Sequence, residues 1–166
     1  MILSKENKIL REKAKAVENP RSPEIKKIVA KMAEAMFNEP DGVGIAAPQI
    51  GESLQVFLVA KDFLDPMASV KSKSDKRKKD FMVFMNPSVK KFSQKKANDI
   101  EGCLSVRGVY GEVARSEKLN IEYTDENGKK HARGASGLLA RVIQHEVDHL
   151  NGVLFIDKAK NLKHIT

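Results

Sequence analysis

The sequence predicts an α+β fold in which antiparallel or mixed β-sheets pack around a C-terminal helix, with a second helix near the N-terminus. Apolar residues recur with a helical period over residues 22–37 and again over 136–152, and short apolar or alternating stretches lie between them. No internal repeat or linker divides the chain, so we expect one domain over residues 1–166. A chain of 166 residues with 41% apolar content can bury a substantial core.

The first helix is predicted from Ser22-Pro23 to about Phe37. Ser22 is a favourable N-cap, and Pro23 suits the first turn, where no intrahelical N–H bond is lost. The apolar residues of this segment fall on one face, which should pack against a sheet. They are Ile25, Ile28, Val29, Met32 and Met36.

Short stretches rich in β-branched and aromatic residues predict the strands. Asp125-Glu126-Asn127-Gly128 has the composition of a tight turn and should close a hairpin between the last two of them. The predicted strands are Gln55 to Ala60, Phe81 to Asn86, Val109 to Ala114, Leu119 to Tyr123 and Lys130 to Arg133.

The final helix should begin after Ser136 and end at Asn151-Gly152. It contains His145 and His149, which are four residues apart and therefore lie on one helical face, about one turn from each other. Two imidazoles in this arrangement can bind one divalent ion, and Glu146 on the adjacent strip can reach a water on that ion. A lone histidine on a helix is usually an ordinary polar residue, but here both rings fall on the inward face and need partners.

A metal ion held by this helix needs a third protein ligand. One large class of peptidases has a third histidine six residues beyond the second, and here that position is Phe155. Another class takes a glutamate from a downstream helix, and no Glu follows His149. The ligand should therefore come from upstream, where Cys103, His131 and several carboxylates are candidates. Cys103, the only cysteine, offers a thiolate, although a single cysteine can equally be a buried apolar residue.

A glycine- and alanine-rich segment, residues 42–51, lies far upstream of the helix. Small residues there leave room for another chain to approach the backbone. Pro48 fixes the local backbone, and Gln49 offers a side-chain amide from the turn that follows. Taken alone, the segment is equally consistent with a connector that takes no part in chemistry.

Three motifs occur in a fixed order along the chain. They are Gly-Val-Gly-Ile-Ala-Ala-Pro-Gln at 42–49, Glu-Gly-Cys-Leu-Ser at 101–105 and Gln-His-Glu-Val-Asp-His at 144–149. Together they resemble the peptide deformylase family, and the resemblance extends from about Ile9 to Phe155. Residue 107 departs from the pattern, because it is an arginine where many relatives carry proline.

The resemblance implies a metal centre in which Cys103, His145 and His149 are the protein ligands and water is the fourth. It implies that this water is the nucleophile and that Glu146 is the general base and acid. The ion expected from the family is Fe²⁺, one per chain, with Zn²⁺, Ni²⁺ or Co²⁺ as substitutes. The reaction implied is removal of the formyl group from N-formylmethionine at the N-terminus of newly made polypeptides.

The same resemblance implies that Gln49 and the backbone N–H of Leu104 stabilise the negative charge that develops on the formyl oxygen. It also implies a groove for an extended N-formylmethionyl peptide and an apolar pocket for the methionine side chain. The candidate substrate-binding residues are Val43, Gly44, Ile45, Leu138 and Val142. Arg141, one turn before His145, is expected to extend outward with its stem on the pocket wall.

The net charge of +8 and the pI near 9.5 invite a nucleic-acid interpretation, and much of the excess lies in residues 71–79. Aromatic content is only 5% and tryptophan is absent, so this segment is interpreted first as a solvated loop, and secondly as a weak contact to ribosomal RNA. Two rival functions are a zinc metallopeptidase of another HExxH family and a nucleic-acid-binding module with a structural metal. The sequence contains no membrane-spanning run and no secretory segment, and its single cysteine suits a reducing cytoplasm.

Overall fold

The computed structural model describes residues 1–64 and 79–165 and confirms the predicted α+β class. Among these residues lie two α-helices, several short 3-10 turns and eight strands. The helices are α1 (Pro23–Phe37) and α2 (Gly137–Leu150). The strands are β1 (Gly44–Ala46), β2 (Val56–Ala60), β3 (Phe81–Phe92), β4 (Lys96–Cys103), β5 (Val106–Ser116), β6 (Lys118–Thr124), β7 (Lys130–Ser136) and β8 (Lys160–His164).

The described strands form two sheets, one of five strands in the order β1-β2-β3-β6-β7 and one of three in the order β4-β5-β8. Every pairing of neighbouring strands is antiparallel, so the mixed alternative does not occur in either sheet. Helix α2 contacts β1, β2, β6 and β7 of the first sheet and β5 of the second. The C-terminal helix therefore lies where the two sheets meet, as the sequence predicted.

Helix α1 has the predicted boundaries and the predicted buried face. Ser22 Oγ accepts a hydrogen bond of 3.2 Å from the backbone N–H of Ile25, and Pro23 occupies the first turn. Met32 and Met36 are fully buried, and the apolar face packs against β1 and β2. All five residues of β2 are buried, so this strand forms the centre of the core rather than a half-exposed layer.

Helix α2 packs against the five-stranded sheet through its own apolar residues. Ala140, Ile143 and Leu150 share a cluster with Phe57 and Phe84, whose rings stack at 4.6 Å. The helix ends at Leu150, and Gly152 follows in a left-handed conformation with φ +73°. The prediction of Ser136 as N-cap is correct in position, but its side chain makes no capping hydrogen bond.

The structure contains three strands that the sequence did not predict, β1, β4 and β8. The sequence of β4, Lys-Ala-Asn-Asp-Ile-Glu-Gly-Cys, is mostly exposed and contains residues that are unfavourable in strands, so its pattern does not reveal it. β8 is exposed along its whole length. Both strands are held by pairing with β5, an interaction that only the tertiary structure provides.

The predicted strands are all present, but β3, β5, β6 and β7 extend beyond the predicted ends. β3 continues to Phe92 past Asn86, which has φ 48° and lies next to an irregularity in register. Of the basic stretch 71–79, only Lys79 lies within the described residues. Among the described helices, none is long and apolar enough to cross a membrane.

Candidate metal centre

The side chains of Cys103, His145 and His149 converge between the two sheets. One potential ligand atom from each lies within 4.8 Å of the others, and His149 Nε2 is 3.3 Å from Cys103 Sγ. Cys103 is the last residue of β4, and the two histidines are one turn apart on α2. The other upstream histidine considered from sequence, His131, is elsewhere: it bonds to Asp125 at 2.6 Å and stacks on Tyr123.

Glu101, two residues before the cysteine, orients the first ring. Its Oε1 lies 2.9 Å from His145 Nδ1, which leaves Nε2 of that ring for the cluster. Arg115 donates two hydrogen bonds of 2.9 Å to the same carboxylate. Burial would raise the pKa of Glu101, but the bonds from Arg115 and His145 outweigh it and hold the pKa well below its usual range. Glu101 belongs to one of the three sequence motifs, but the sequence analysis gave it no function. Its position two residues before Cys103 was the feature that could have indicated one.

The two histidines of the cluster lie in different electrostatic environments. Burial alone would lower the pKa of His145, but hydrogen bonds with Cys103 and Glu101 raise it well above the usual value. Burial lowers the pKa of His149, which favours the neutral imidazole, the form that binds a metal ion. A thiol and two imidazoles beside a carboxylate are also the donor types that bind Zn²⁺, Fe²⁺, Ni²⁺ or Co²⁺. The residues present therefore fit a divalent cation.

Glu146 projects from α2 beside the cluster and is only 3% exposed. Its Oε2 has no hydrogen-bond partner within the described part of the chain. Burial raises the pKa of Glu146 to about 7. A carboxylate with this pKa and an open oxygen can take up and release a proton near neutral pH.

Gln49 reaches the cluster from a 3-10 turn, Ala47–Ile50, that follows β1. Its Oε1 accepts a hydrogen bond of 2.9 Å from the backbone N–H of Ala46, which fixes which way the amide points. Its Nε2 donates to Ser105 Oγ at 3.1 Å and lies 3.7 Å from Cys103 Sγ. The side-chain amide is therefore held with its donor end facing the cluster.

A cavity of about 310 Å³ opens beside these residues. Cys103, His145 and Glu146 line this cavity, whereas the more deeply buried His149 does not. Most of the other residues predicted from sequence also line it, namely Gln49, Leu104, Val43, Gly44, Leu138 and Val142. Ile45 does not line it, because its side chain is fully buried in the core of the five-stranded sheet. Leu138 is at the rim and is 47% exposed, so it is less inward than its helical stripe predicted.

The prediction that Arg141 extends outward is wrong. Its Nη1 donates to Glu101 Oε2 at 2.6 Å and to the carbonyl of Val113 at 2.9 Å, and Nη2 donates to the carbonyl of Ala97 at 2.8 Å. These acceptors on β4 and β5 draw the guanidinium inward, where it lines the cavity wall. Arg107, at the mouth of the cavity, pairs with Glu39 at 2.7 Å.

The sequence model of the polypeptide deformylase family matches residues 1–164. The chain belongs to this family. It is 41% identical over 161 residues to the peptide deformylase of Roseiflexus castenholzii, covering 95% of this chain and 84% of the relative. It is 38% identical over 155 residues to the peptide deformylase of a Picosynechococcus species, covering 93% and 76%.

Solved structures of peptide deformylases share the fold. The enzyme from Synechococcus elongatus, determined in complex with actinonin, superposes with a TM-score of 0.82 at 35% identity, covering 97% of this chain and 79% of that one. The peptide deformylase of Thermotoga maritima gives a TM-score of 0.81 at 32% identity, covering 96% and 97%. The protein is therefore an enzyme of the deformylase family, which sets aside both rival functions considered from sequence.

Proposed function

We propose that this enzyme removes the formyl group from N-formylmethionine at the N-terminus of newly made polypeptides, with a divalent cation held by Cys103, His145 and His149. The observation that carries the proposal is the convergence of these three side chains beside the buried carboxylate of Glu146. Membership of the deformylase family supports the choice of a formyl group as the substrate.

The proposed cation is Fe²⁺, one per chain, and Zn²⁺, Ni²⁺ or Co²⁺ are the proposed substitutes. A Cys-His-His donor set accepts each of these ions, so supply in the cell would decide between them. When bound, the ion lowers the pKa of water so that hydroxide is available near neutral pH.

Glu146 is proposed as the general base and then the general acid. It would take a proton from the attacking water and later pass that proton to the leaving amine of methionine. Its open Oε2 provides a place for the proton, and its pKa of about 7 suits both directions of transfer.

Gln49 and the backbone N–H of Leu104 are proposed to stabilise the negative charge that develops on the formyl oxygen. Donors that are fixed before the reaction stabilise such charge best, because no free energy is spent on reorienting them. The bond that Gln49 Oε1 accepts from Ala46 supports this role, since it directs the opposite end of the amide toward the cavity.

The peptide is proposed to lie along β1, which is an edge strand of the five-stranded sheet. Backbone groups of Gly44 and Ile45 would bond to it without regard to its sequence, so that many nascent chains are accepted. Val43, Leu138 and Val142 would contact the methionine side chain. Gly44 also lets the side chain of Glu146 lie close to β1, because a Cβ there would lie 2.8 Å from Glu146 Oε1.

An anaerobic assay of formate release from formyl-Met-Ala-Ser tests the proposal, using enzyme loaded with Fe²⁺, Ni²⁺ or Zn²⁺. We expect release that chelators abolish, and no reaction with acetyl-Met-Ala-Ser as the control substrate. The Fe²⁺ form should lose activity in air as the ion and the thiolate oxidise. Absence of formate with every metal would overturn the proposed function.

We also propose that the enzyme acts in the cytoplasm and that the basic residues 71–79 make a weak contact with ribosomal RNA. The charge of this segment supports the contact, since phosphate groups attract lysine and arginine. Replacing its lysines by serine should reduce co-sedimentation with ribosomes at low salt. Unchanged and salt-insensitive co-sedimentation in that variant would count against the contact.

A further inference from the structure

Arg141 places a guanidinium on the wall of the cavity next to two apolar residues. It lies between Leu138 and Val142 in sequence, one turn before His145 on α2, and all four side chains line the cavity. Its side chain is only 12% exposed. A pocket for a purely hydrocarbon side chain would not need a charged group in this position.

The guanidinium is held rigidly by acceptors from the three-stranded sheet. Glu101 Oε2 and the carbonyls of Val113 and Ala97 accept from it at 2.6, 2.9 and 2.8 Å. Because these acceptors come from three different residues of β4 and β5, the group cannot rotate without losing at least one bond. Its position relative to the pocket is therefore fixed before a substrate arrives.

These bonds use three of the five N–H groups that an arginine carries, leaving one on Nη2 and the one on Nε. Within the described chain, the fully enclosed side-chain atoms without a partner are Glu146 Oε2 and His149 Nδ1, and no nitrogen of Arg141 is among them. Within the described residues Nε has no hydrogen-bond partner and is not fully enclosed, so its N–H is accessible. A ligand in the cavity that Arg141 lines can accept from this N–H.

The charge of Arg141 is only partly balanced. Glu101 is its carboxylate partner, but the same carboxylate also accepts two bonds from Arg115. Arg115 in turn shares Asp148 with Lys158. Three cations therefore share two carboxylates, so the guanidinium of Arg141 keeps part of its positive charge for an electron-rich group placed beside it.

We propose that Arg141 is a specificity-determining residue that selects the methionine side chain through its sulfur. This inference rests on the proposed function of the site. An N–H of Arg141 donates to the thioether, a weak acceptor, so the pocket favours methionine over a hydrocarbon side chain of equal length. A sulfoxide oxygen is a stronger acceptor, so the enzyme also accepts peptides that begin with formylmethionine sulfoxide.

The test compares kcat/KM for formyl-Met-Ala-Ser, formyl-norleucine-Ala-Ser and the sulfoxide peptide within each enzyme. A ratio of two substrates on one enzyme cancels differences in metal loading and folded fraction. The enzymes are the wild type, Arg141→Leu, Arg141→Lys and Leu138→Ala. The last changes the apolar rim of the same pocket without removing a donor, and it serves as the matched control.

We expect the wild type to prefer methionine over norleucine by about twofold to tenfold, the range of one net hydrogen bond. Arg141→Leu should reduce this preference to about one and should lose most activity on the sulfoxide peptide. Arg141→Lys should retain part of both, because a donor remains. Leu138→Ala should lower the rates for methionine and norleucine together and leave their ratio unchanged.

A wild-type ratio near one overturns the proposal without any variant, and so does a ratio that survives in Arg141→Leu. Calorimetric binding of the product peptides Met-Ala-Ser and norleucine-Ala-Ser makes the same comparison without turnover. Suppose that no formyl peptide is hydrolysed, but Met-Ala-Ser binds more tightly than norleucine-Ala-Ser and this difference disappears in Arg141→Leu; the proposed function then fails and the specificity role stands. If the wild type hydrolyses formyl-Met-Ala-Ser and formyl-norleucine-Ala-Ser at equal rates, the proposed function stands and the specificity role fails.

Discussion

His145 Nδ1 lies 2.9 Å from Glu101 Oε1, so a strand of the three-stranded sheet fixes a ring that belongs to helix α2. Arg115 donates two hydrogen bonds to the same carboxylate. It also donates one to Asp148, which lies on α2 one turn beyond His145. Glu101 therefore couples the orientation of one candidate ligand to the docking of the helix on the sheet.

Glu101→Gln should weaken metal binding by about tenfold to a hundredfold, the usual effect of removing a carboxylate behind a ligating histidine. The amide can no longer hold His145 in one orientation as strongly, and it leaves the charge of Arg115 less balanced. Competition with a chromogenic chelator for Co²⁺ or Zn²⁺ measures the change. Glu122→Gln is the control, since Glu122 is exposed and its nearest cation, Lys90, is 3.7 Å away. Equal affinities for Glu101→Gln and wild type would contradict the role.

Gln49→Leu should retain the metal but lower kcat about a hundredfold, because one fixed donor to the oxyanion is lost. Metal content by mass spectrometry and kcat on formyl-Met-Ala-Ser are the two measurements. Gln55→Leu is a matched control: Gln55 donates to the carbonyl of Ala14 at 3.2 Å, away from the cavity. Turnover near the wild-type level in Gln49→Leu would remove this residue from the mechanism.

Gly44→Ala should impair activity strongly. The added Cβ would lie 2.8 Å from Glu146 Oε1 and 3.0 Å from Val142 Cγ1, so it would displace the proposed base and narrow the groove. Gly134→Ala provides the comparison, since a Cβ there meets its nearest atom at 3.4 Å. The two variants should differ by at least about tenfold in kcat/KM, as misplacing a catalytic group by an ångström costs that or more. Similar activities would show that the space at Gly44 is not needed.

Asp157→Asn should make the protein slightly less stable at neutral pH, by about 0.5 kcal/mol, because the Arg11–Asp157 pair at 2.6 Å is partly exposed and screened. The bond from Arg11 lowers the pKa of Asp157 below its ordinary value of 3.8. A carboxyl group whose pKa is lower in the folded state than in the unfolded state stabilises the fold when the pH is above the unfolded-state pKa. This contribution is lost as the pH falls through the folded-state pKa.

Urea unfolding of wild type and Asp157→Asn between pH 7 and pH 3 checks this prediction. The difference in free energy of unfolding should stay constant down to about pH 5 and shrink below about pH 4. Asp80→Asn is the control, as Asp80 is 69% exposed and its lysine is 3.8 Å away. A difference that grows as the pH falls would have the wrong sign and would refute the assignment.

The motif-bearing side chains could be predicted because their chemistry depends on local spacing. The pair His145 and His149 needs only a helix, and α2 is helical over both. The inward turn of Arg141 could not be predicted in the same way, because its acceptors are a carboxylate and two carbonyls 28 to 44 residues away. The burial of Ile45 likewise depends on the packing of α1 against β1. Helical periodicity carries no information about such partners.

The strands show the same division. β2 is recognisable from its unbroken apolar run, which reflects burial on both faces. β4 is not recognisable, although it supplies Cys103, because its stability comes from the long β5 beside it. A segment with little strand character thus carries one of the candidate ligands. Its thiol made Cys103 a candidate ligand and the family resemblance singled it out, but secondary-structure propensity did not reveal the strand that carries it.

Cys103 and His149 are 46 positions apart along the chain. A polypeptide still emerging during synthesis has the thiol long before it has both rings, and only the docking of α2 brings them together. Binding of the proposed cation would therefore be a late event of maturation, and an ion bound to the finished cluster would stabilise the whole fold against unfolding.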